Sequence, residues 1–278
     1  MAARTKLVYQ QHGELRQHLS KVLSISPVST LPLADQSLIK NASEEDYALI
    51  TDETIFHVQG GGQPSDTGTI DSTSSESDTT TIFEVNSVRY PAVGRAIIHF
   101  GRFKPTIAAT TGPPAFKAGE EIQQNIDAEK RDLLSRLHTA GHILGLAINA
   151  LSREGVLPPL IEAKASHYPD SAAVEFGGLI DGKHKNDIQA KTDEFVMGAS
   201  KVMISWWPME KLLTDCTGVT EGFELPEGET LGRVVEMEGL GAYPCGGTHV
   251  THCGKVGKIE VKKISRSKGV SRVSYRVL

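Results

Sequence analysis

The segment IDAEKRDLLSRLHTAGHILGLAINALSREG (126–155) carries the strongest helical periodicity in this chain. Its apolar residues recur three or four positions apart, which is the spacing of one face of an α-helix. Asp127 is suited to cap the first turn, and Gly155 is suited to end the helix. The sequence therefore predicts one long helix whose apolar face is formed by Leu133, Leu137, Ala140, Leu144, Ile148 and Leu151.

Two histidines of this helix fall on the side opposite to the apolar face. His138 and His142 are four positions apart, so their side chains point the same way. A pair of imidazoles at this spacing can clamp a metal ion, because imidazole nitrogen is a preferred zinc donor. Two ordinary histidines on a polar helix face would give the same pattern. The HxxxH spacing alone leaves both interpretations open.

A second candidate metal signature lies in the glycine-rich segment YPCGGTHV (243–250). Cys245 and His249 flank two glycines and a threonine, and the glycines allow a tight turn. A turn that merely buries a cysteine is the alternative. If the two signatures meet in space, they offer two or three imidazoles and one thiolate, a ligand set that suits zinc.

Several common zinc chemistries do not fit these motifs. Thr139 stands where a helical metalloprotease has its general-base glutamate, so the HExxH pattern is absent. The sequence also has no CxxC pair and no zinc-deaminase signature. We interpret Cys216 and Cys253 as structural or incidental thiols.

Length and composition favour an ordinary globular protein with two domains. The chain has 278 residues, of which 39% are hydrophobic and 23% charged. No apolar run approaches the ~20 residues that span a membrane. Three cysteines and the lack of an apolar leader predict a reducing compartment, so we expect a cytoplasmic location without membrane association.

The charge is distributed unevenly along the chain. The net charge of −5 gives no overall support for nucleic-acid binding, but residues 255–276 contain eight Lys or Arg residues and one acid, Glu260. Such a strip can hold a polyanion, and a solvated strand face is the alternative.

The order of patterns predicts a β-rich first half and an α+β second half. Strand-like segments occur at 48–58 and 81–90, with loops at 30–37 and 71–81. Paired prolines in 108–120 predict the boundary between a domain over 1–112 and a domain over 118–278. A further strand is predicted at 120–127, a second helix at 186–203, and strands near 231–237 and 256–276.

The first half also contains the glycine-rich stretch GGGQPSDTG (60–68). It matches neither a P-loop nor a dinucleotide fingerprint. A hairpin turn is one interpretation. Three consecutive glycines also let the backbone approach a ligand closely, as at a ribose or a phosphate.

Together, TIFHVQGGGQPSDTG (54–68), IDAEKRDLLSRLHTAGHIL (126–144) and YPCGGTHV resemble the editing region of alanyl-tRNA synthetase and its free-standing AlaX-type relatives. The resemblance runs from about Lys6 to the C-terminus. It implies an α+β protein, with a small β-barrel-like N-terminal domain followed by an α+β zinc-containing editing domain.

The resemblance also implies an activity, a cofactor and a partner. Family members are aminoacyl-tRNA deacylases that hydrolyse mischarged tRNA(Ala), which implies Ser-tRNA(Ala) as first and Gly-tRNA(Ala) as second substrate, with no DNA partner. We expect a monomer. The implied ligands of one Zn²⁺ per chain are His138, His142, Cys245 and His249. We expect His249 to be the weakest of the four.

Further site residues follow partly from the same resemblance, and partly from the position of Thr139 between the two histidines and from the basic strip. Thr139 and Ser166 are the expected catalytic-site contacts to the substrate hydroxyl. The synthetase has a glutamine where Glu162 or Ala163 falls here, and this departure puts a glutamine-assisted mechanism in doubt. The expected contacts to substrate and tRNA are Gly61, Gly62, Gln63, Lys262, Lys263 and Arg266.

Two rival functions remain at the level of sequence. One is a non-catalytic tRNA- or protein-binding module of the same fold, stabilised by zinc. The other is a zinc hydrolase for a different small ester or amide, which would not need the basic strip.

Overall fold

The computed structural model of the chain describes residues 4–73, 81–105, 116–219, 222–226 and 228–278. The chain divides into two compact units. The first comprises Met1–Gly60 and Pro64–Arg131, and the second comprises Gly61–Gln63 and Asp132–Leu278. The tripeptide from the glycine-rich stretch is thus grouped with the second unit.

The first unit is built around a closed barrel of six strands. Its elements are β1 (Lys6–Leu7), β2 (Gln17–Pro27), α1 (Leu33–Gln36), β3 (Tyr47–Thr51), β4 (Glu53–Thr54), β5 (Gly68–Ser72), β6 (Ile82–Arg89), β7 (Ile98–Phe103) and β8 (Glu121–Ile126). The barrel order is β2-β3-β7-β6-β5-β8, and every neighbouring pair is antiparallel. Closure leaves no free strand edge in the barrel.

Alternation of side chains explains the barrel interior. In β6, Phe83, Val85 and Val88 are buried, and a register shift between Val85 and Ser87 keeps Val88 on the inner side. They pack in one core cluster with Leu49 and Ile70. The mixed α and β content with a six-stranded barrel confirms that part of the predicted fold.

Several element boundaries predicted for the first half of the chain differ from those in the structure. The strand predicted over 48–58 ends at Thr51, and a two-residue strand follows at Glu53–Thr54. The loop predicted at 30–37 contains the single-turn helix α1. Most of the predicted hairpin loop and linker, at residues 74–80 and 106–115, lies outside the described residues. The unit boundary falls at Arg131/Asp132 rather than between 112 and 118, because β8 closes the barrel.

A buried ion pair anchors the chain that follows the glycine-rich tripeptide. Asp66 and Arg131 are both fully buried. Arg131 Nε donates to both carboxylate oxygens of Asp66, at 3.0 and 2.9 Å, and Arg131 Nη2 donates to Ile55 O at 2.6 Å. The backbone N–H of His57 donates to the same carboxylate. Because both charged side chains are buried away from water, each is stabilised by its contact with the other.

The second unit combines helices with two antiparallel sheets. Its elements are α2 (Ala128–Arg153), β9 (Ile161–Ser166), β10 (Ala173–Gly177), α3 (Lys185–Met197), β11 (Val202–Pro208), α4 (Met209–Asp215), β12 (Leu231–Met237), β13 (Gly241–Pro244), β14 (Ile259–Ser267) and β15 (Val270–Val277). The sheet orders are β14-β15-β10-β9 and β11-β12-β13. The first residues of α2, up to Arg131, are grouped with the barrel unit.

The long helix begins where the sequence predicts. Lys130 N donates to Asp127 Oδ1 at 3.0 Å, which is an N-terminal cap. The predicted apolar face from Leu137 to Leu151 is buried in the main core with Phe176 and Val273, whereas Leu133 is 37% exposed. The helix therefore packs by the predicted stripe along most of its length.

The second predicted helix is shorter than expected. It ends at Met197 because Ala199 has a positive φ of 48°, after which β11 begins at Val202. The strand predicted over 231–237 is confirmed as β12. The segment predicted near 256–276 is a hairpin, and Lys268 and Gly269 supply the two positive φ angles that its tight turn requires.

Within the described parts of the chain, no helix combines the length and hydropathy that crossing a membrane requires.

Replacing Asp66 with Ala should destabilise the barrel by about 3–5 kcal/mol, because Arg131 would remain buried without its partner. Hydrogen-exchange mass spectrometry of barrel peptides along a urea titration measures this loss. The control is Lys6→Ala, which removes the exposed Lys6–Glu53 pair and should cost less than about 1 kcal/mol. Equal, small losses in both variants would contradict a stabilising role for the buried pair.

Candidate metal centre

Four side chains from two distant motifs converge in the second unit. The ligand atoms of His138, His142, Cys245 and His249 all lie within 4.8 Å of one another. The two N-terminal members come from α2, and the other two from the loop that begins where β13 ends at Pro244. The cluster could therefore hold one metal ion.

The ring orientations point the same nitrogen of two histidines toward the cysteine. Cys245 Sγ lies 3.4 Å from His138 Nε2 and 3.3 Å from His249 Nε2. His142 Nε2 is buried and has no hydrogen-bond partner among the described residues. A buried polar atom without a partner is costly, and a metal ion would satisfy it. The donor set of three imidazoles and one thiol therefore fits a metal of borderline softness.

The outer nitrogen of His138 is held by the glycine-rich tripeptide. Gln63 Oε1 lies 2.6 Å from His138 Nδ1 and accepts from Thr248 N at 3.1 Å, while Gln63 Nε2 donates to Thr248 Oγ1 at 2.8 Å. Because Thr248 N is a donor, the atom that faces it must be the amide oxygen. That oxygen only accepts, so His138 carries its proton on Nδ1 and turns the lone pair of Nε2 toward the cluster.

Thr139 holds His249 in the same way. Its hydroxyl donates to Ser135 O at 2.8 Å and accepts from Val250 N at 3.2 Å. With its proton used, Thr139 Oγ1 accepts from His249 Nδ1 at 3.1 Å. His249 Nε2 is then the nitrogen that carries the lone pair, and it faces Cys245 Sγ.

Two glycines make room for this arrangement. Gly62 has a φ of +80°, and a Cβ there would lie 2.5 Å from Ala165 O. A Cβ on Gly247 would lie 2.3 Å from the His138 ring and 2.7 Å from Gln63 Oε1. Side chains at these positions would push the loop backbones away from the cluster.

Burial sets the protonation of the cluster when no cation is bound. It lowers the pKa of His142 well below the ordinary value, and His167 and Arg233 add to this shift. Burial also raises the pKa of the Cys245 thiol, while Arg233 and the Gly247 N–H act in the opposite direction. Metal binding requires the thiolate, so a cation bound here would displace the thiol proton.

Comparisons with known proteins identify relatives of this chain. Residues 233–274 match the family model described as "Threonyl and Alanyl tRNA synthetase second additional domain". The chain is 30% identical over 236 residues to the alanine–tRNA ligase of Methanosphaera stadtmanae, a match that covers 82% of this chain and 24% of that protein. The chain belongs to the AlaX-like alanyl-tRNA editing-domain family.

Other relatives match a similar share of this chain. It is 28% identical over 235 residues to the alanine–tRNA ligase of Pyrococcus abyssi and 26% identical over 242 residues to that of Thermotoga petrophila. These matches cover 82% and 86% of the chain, and 23% and 26% of the two ligases. The AlaX-like chain thus spans about a quarter of the length of these relatives.

Sequence reasoning missed His167, which packs directly on the cluster. Its ring stacks on that of His138 with centroids 4.2 Å apart. Tyr275 Oη donates to Leu137 O at 2.9 Å, so it accepts from His167 Nδ1 at 2.7 Å. Burial lowers the pKa of His167 to about 3, which keeps the ring neutral. The sequence placed this residue beside Ser166, but no spacing linked it to the HxxxH pair.

The other residues expected at the site differ in their burial and in their contacts. Gly61 is exposed, whereas Gly62 O accepts from His167 N at 2.9 Å. Ser166 is half-buried at the end of β9, opposite Ala173 in β10. No hydrogen bond or ion pair joins Ser166 to the four-residue cluster among the described residues.

The basic strip lies largely on the β14–β15 hairpin. Lys262 and Lys263 are exposed on β14, and Arg266 Nη1 lies 3.9 Å from Asp181 Oδ2. Two other members are neutralised, since Arg272 pairs with Glu175 and Arg276 pairs with Glu260. Within the described residues, therefore, Lys262 and Lys263 contribute more unpaired charge than Arg272 and Arg276 do.

Replacing Gln63 with Met should lower the metal affinity about 10- to 100-fold, because His138 would lose the partner that fixes its proton on Nδ1. Gln63→Glu keeps an acceptor there and should stay close to the unchanged protein. Competition between the protein and a chromophoric chelator for Zn²⁺ measures the affinity, and circular dichroism confirms folding. A folded Met variant with undiminished affinity would contradict this role for Gln63.

Proposed function

We propose that this chain is a trans-acting aminoacyl-tRNA deacylase that removes serine, and secondarily glycine, from mischarged tRNA(Ala). The observation that carries the proposal is the cluster of His138, His142, Cys245 and His249 in a chain whose relatives are alanine–tRNA ligases. The ligand set favours one Zn²⁺ per chain, because three nitrogens and one thiolate match its preferences. We place the reaction in the cytoplasm.

The choice of serine follows from the chemistry of selecting alanine. A pocket shaped for a methyl side chain discriminates weakly against a ligand that adds a hydroxyl or lacks one carbon. A separate hydrolytic site resolves the ambiguity, because it can require the hydroxyl that the first pocket merely tolerates. The aminoacyl ester is already an activated bond, so its hydrolysis needs modest acceleration.

The roles of this chain's residues follow from their contacts. A zinc ion bound by the cluster would supply Lewis-acid character at the ester. His138 and His249 are held in one tautomer by Gln63 and Thr139, so their Nε2 atoms need no reorganisation to bind it. This support is the task that we propose for Thr139, since three partners occupy its hydroxyl. Ser166 remains the proposed contact to the serine hydroxyl.

For the tRNA, we propose that the acceptor end lies along exposed backbone and lysine side chains. Gly61 offers backbone without a side chain, and Lys262 and Lys263 offer exposed positive charge. Arg266 belongs to the same strip, although Asp181 shares its charge. Binding through such contacts weakens as salt rises, because counterions are released from the phosphates.

The purified chain should hydrolyse Ser-tRNA(Ala) at least about tenfold faster than Ala-tRNA(Ala), because a site that hydrogen-bonds the hydroxyl rejects the substrate that lacks it. Release of radiolabelled amino acid from Ser-tRNA(Ala), Gly-tRNA(Ala) and Ala-tRNA(Ala) measures the rates. Equal rates on the serine and alanine esters, or no turnover, would refute the proposal. Zinc retention and tRNA binding without turnover would instead favour a non-catalytic binding module.

Cys245→Ala should lower the zinc content and abolish deacylation, because it removes the thiolate donor and leaves three imidazoles. Metal analysis of the purified variant provides a readout independent of activity. Cys216→Ala is the matched control, since this half-buried thiol packs in a different cluster, with Leu212 and Val234. Full zinc occupancy in the folded Cys245 variant would contradict the assignment.

A further inference from the structure

Glu162, on β9, is a largely buried carboxylate that the proposed chemistry leaves without a task. Tyr243 Oη donates to its Oε2 at 2.9 Å, and Asn149 Nδ2 donates to the same oxygen at 3.0 Å. Among the described residues, Oε1 receives no hydrogen bond. Part of the Glu162 residue remains accessible to solvent. Oε2 is therefore held by two donors of the protein, and Oε1 remains for a ligand.

The helix leaves a space for this carboxylate. A Cβ on Gly145 would lie 2.9 Å from Glu162 Oε1, 3.0 Å from Oε2 and 2.5 Å from Tyr243 Oη. Glycine inside a helix costs about 1 kcal/mol relative to alanine. The carboxylate thus occupies a space that exists only because residue 145 has no side chain.

Tyr243 connects Glu162 with the candidate metal centre. Tyr243, which holds Glu162, packs its ring against that of His142 with centroids 4.2 Å apart. Gly145 follows His142 by three positions on α2, which is about 4.5 Å of helix rise. The glycine that makes room for Glu162 therefore lies within one helical turn of a cluster histidine. An aminoacyl ester whose carbonyl group bound at the cluster could direct its α-substituents toward Glu162.

A cation is the ligand that suits such an oxygen. An ammonium group offers three donors and no acceptor, and Glu162 Oε1 lacks a donor. Burial raises the pKa of Glu162, which means that its charged form is destabilised where it lies. A neighbouring positive charge favours that form.

We propose that the Glu162 carboxylate binds the α-ammonium group of the aminoacyl ester, so that the site selects substrates with a free α-amino group. The inference rests on the proposed function, because it takes an aminoacyl ester as the ligand. It assigns Glu162 to substrate binding, with Tyr243 and Asn149 fixing the carboxylate and Gly145 admitting it.

Binding of non-hydrolysable analogues tests this assignment. The probes are 3′-deoxy-3′-(L-serylamino)adenosine and its counterpart in which a hydroxyl replaces the α-amino group. The two probes have nearly the same size and differ in charge. Calorimetry on the zinc-loaded full chain should show about 10- to 100-fold tighter binding of the amine, the range expected for a hydrogen bond between charged groups.

Glu162→Gln should reduce that preference to within a few-fold, because the amide keeps an acceptor for Tyr243 and Asn149 but removes the charge. Its zinc content should be unchanged. The matched control is Glu175→Gln, which alters a carboxylate of β10 that pairs with Arg272. The control should keep the full preference for the amine.

Several results would overturn the proposal. One is equal binding of the two probes by the unchanged protein, and another is no binding of either probe. A third is a preference for the amine that survives in Glu162→Gln. A glycyl analogue of the first probe serves as a further comparison. If Glu162→Gln no longer discriminates between the seryl and glycyl probes but keeps the preference for the amine, Glu162 contacts the side-chain hydroxyl instead. Ser-tRNA(Ala) hydrolysis is scored separately, so a failure of the proposed activity is distinguishable from a failure of this assignment.

Discussion

A buried neutral imidazole has two nitrogens to satisfy, and this constraint organises the candidate metal centre. The protein supplies an acceptor for the outer nitrogen of His138, from Gln63, and for that of His249, from Thr139. The inner nitrogens of both rings turn toward Cys245, and His142 Nε2 is left without a partner among the described residues. The protein thus supplies partners for the outer nitrogens of these two rings, and the inner atoms of the cluster could bind a cation. Each outer contact fixes which nitrogen can donate a lone pair.

Of the glycine-rich stretch, only Gly61–Gln63 belong to the second unit. The hydrogen bonds of the Gln63 amide account for this assignment. Gln63 is 75 positions from His138 and 185 positions from Thr248, yet its amide contacts both. The positive φ of Gly62 brings the backbone close to Ala165 and lets Gln63 reach this position. The barrel unit keeps the flanking residues in place by other means, among them the buried pair of Asp66 and Arg131.

The long helix and the two metal signatures could be predicted from the sequence, because each depends on short-range spacing. Helical phasing alone placed His138 and His142 together, and the short CGGTH segment placed Cys245 near His249. The contact between the two motifs depends on how the second unit packs, and the family resemblance supplied that expectation. The tasks of Gln63 and His167 follow from long-range packing, which no local pattern encodes. Gln63 was therefore predicted to contact substrate, and His167 was not predicted at all.

The fold shows the same division between local and distant information. The strand at Ile82–Arg89 could be predicted from the sequence alone, because its β-branched and aromatic residues alternate in part. The assignment of Glu121–Ile126 to the barrel was not, because its partners β2 and β5 precede it by about 50 to 100 positions. A boundary drawn at the prolines therefore separated this strand from the unit that it closes. The second helix was drawn too long because alanine at position 199 gives no local sign of its positive φ.

The central claim is that one zinc ion binds three imidazoles and one thiolate at this cluster. X-ray absorption spectroscopy at the zinc edge of the purified full chain tests it most directly. The account predicts one zinc per chain with a single sulfur at about 2.3 Å and nitrogen neighbours at about 2.0–2.1 Å. A spectrum without a sulfur neighbour, or a chain that retains no zinc, would contradict it.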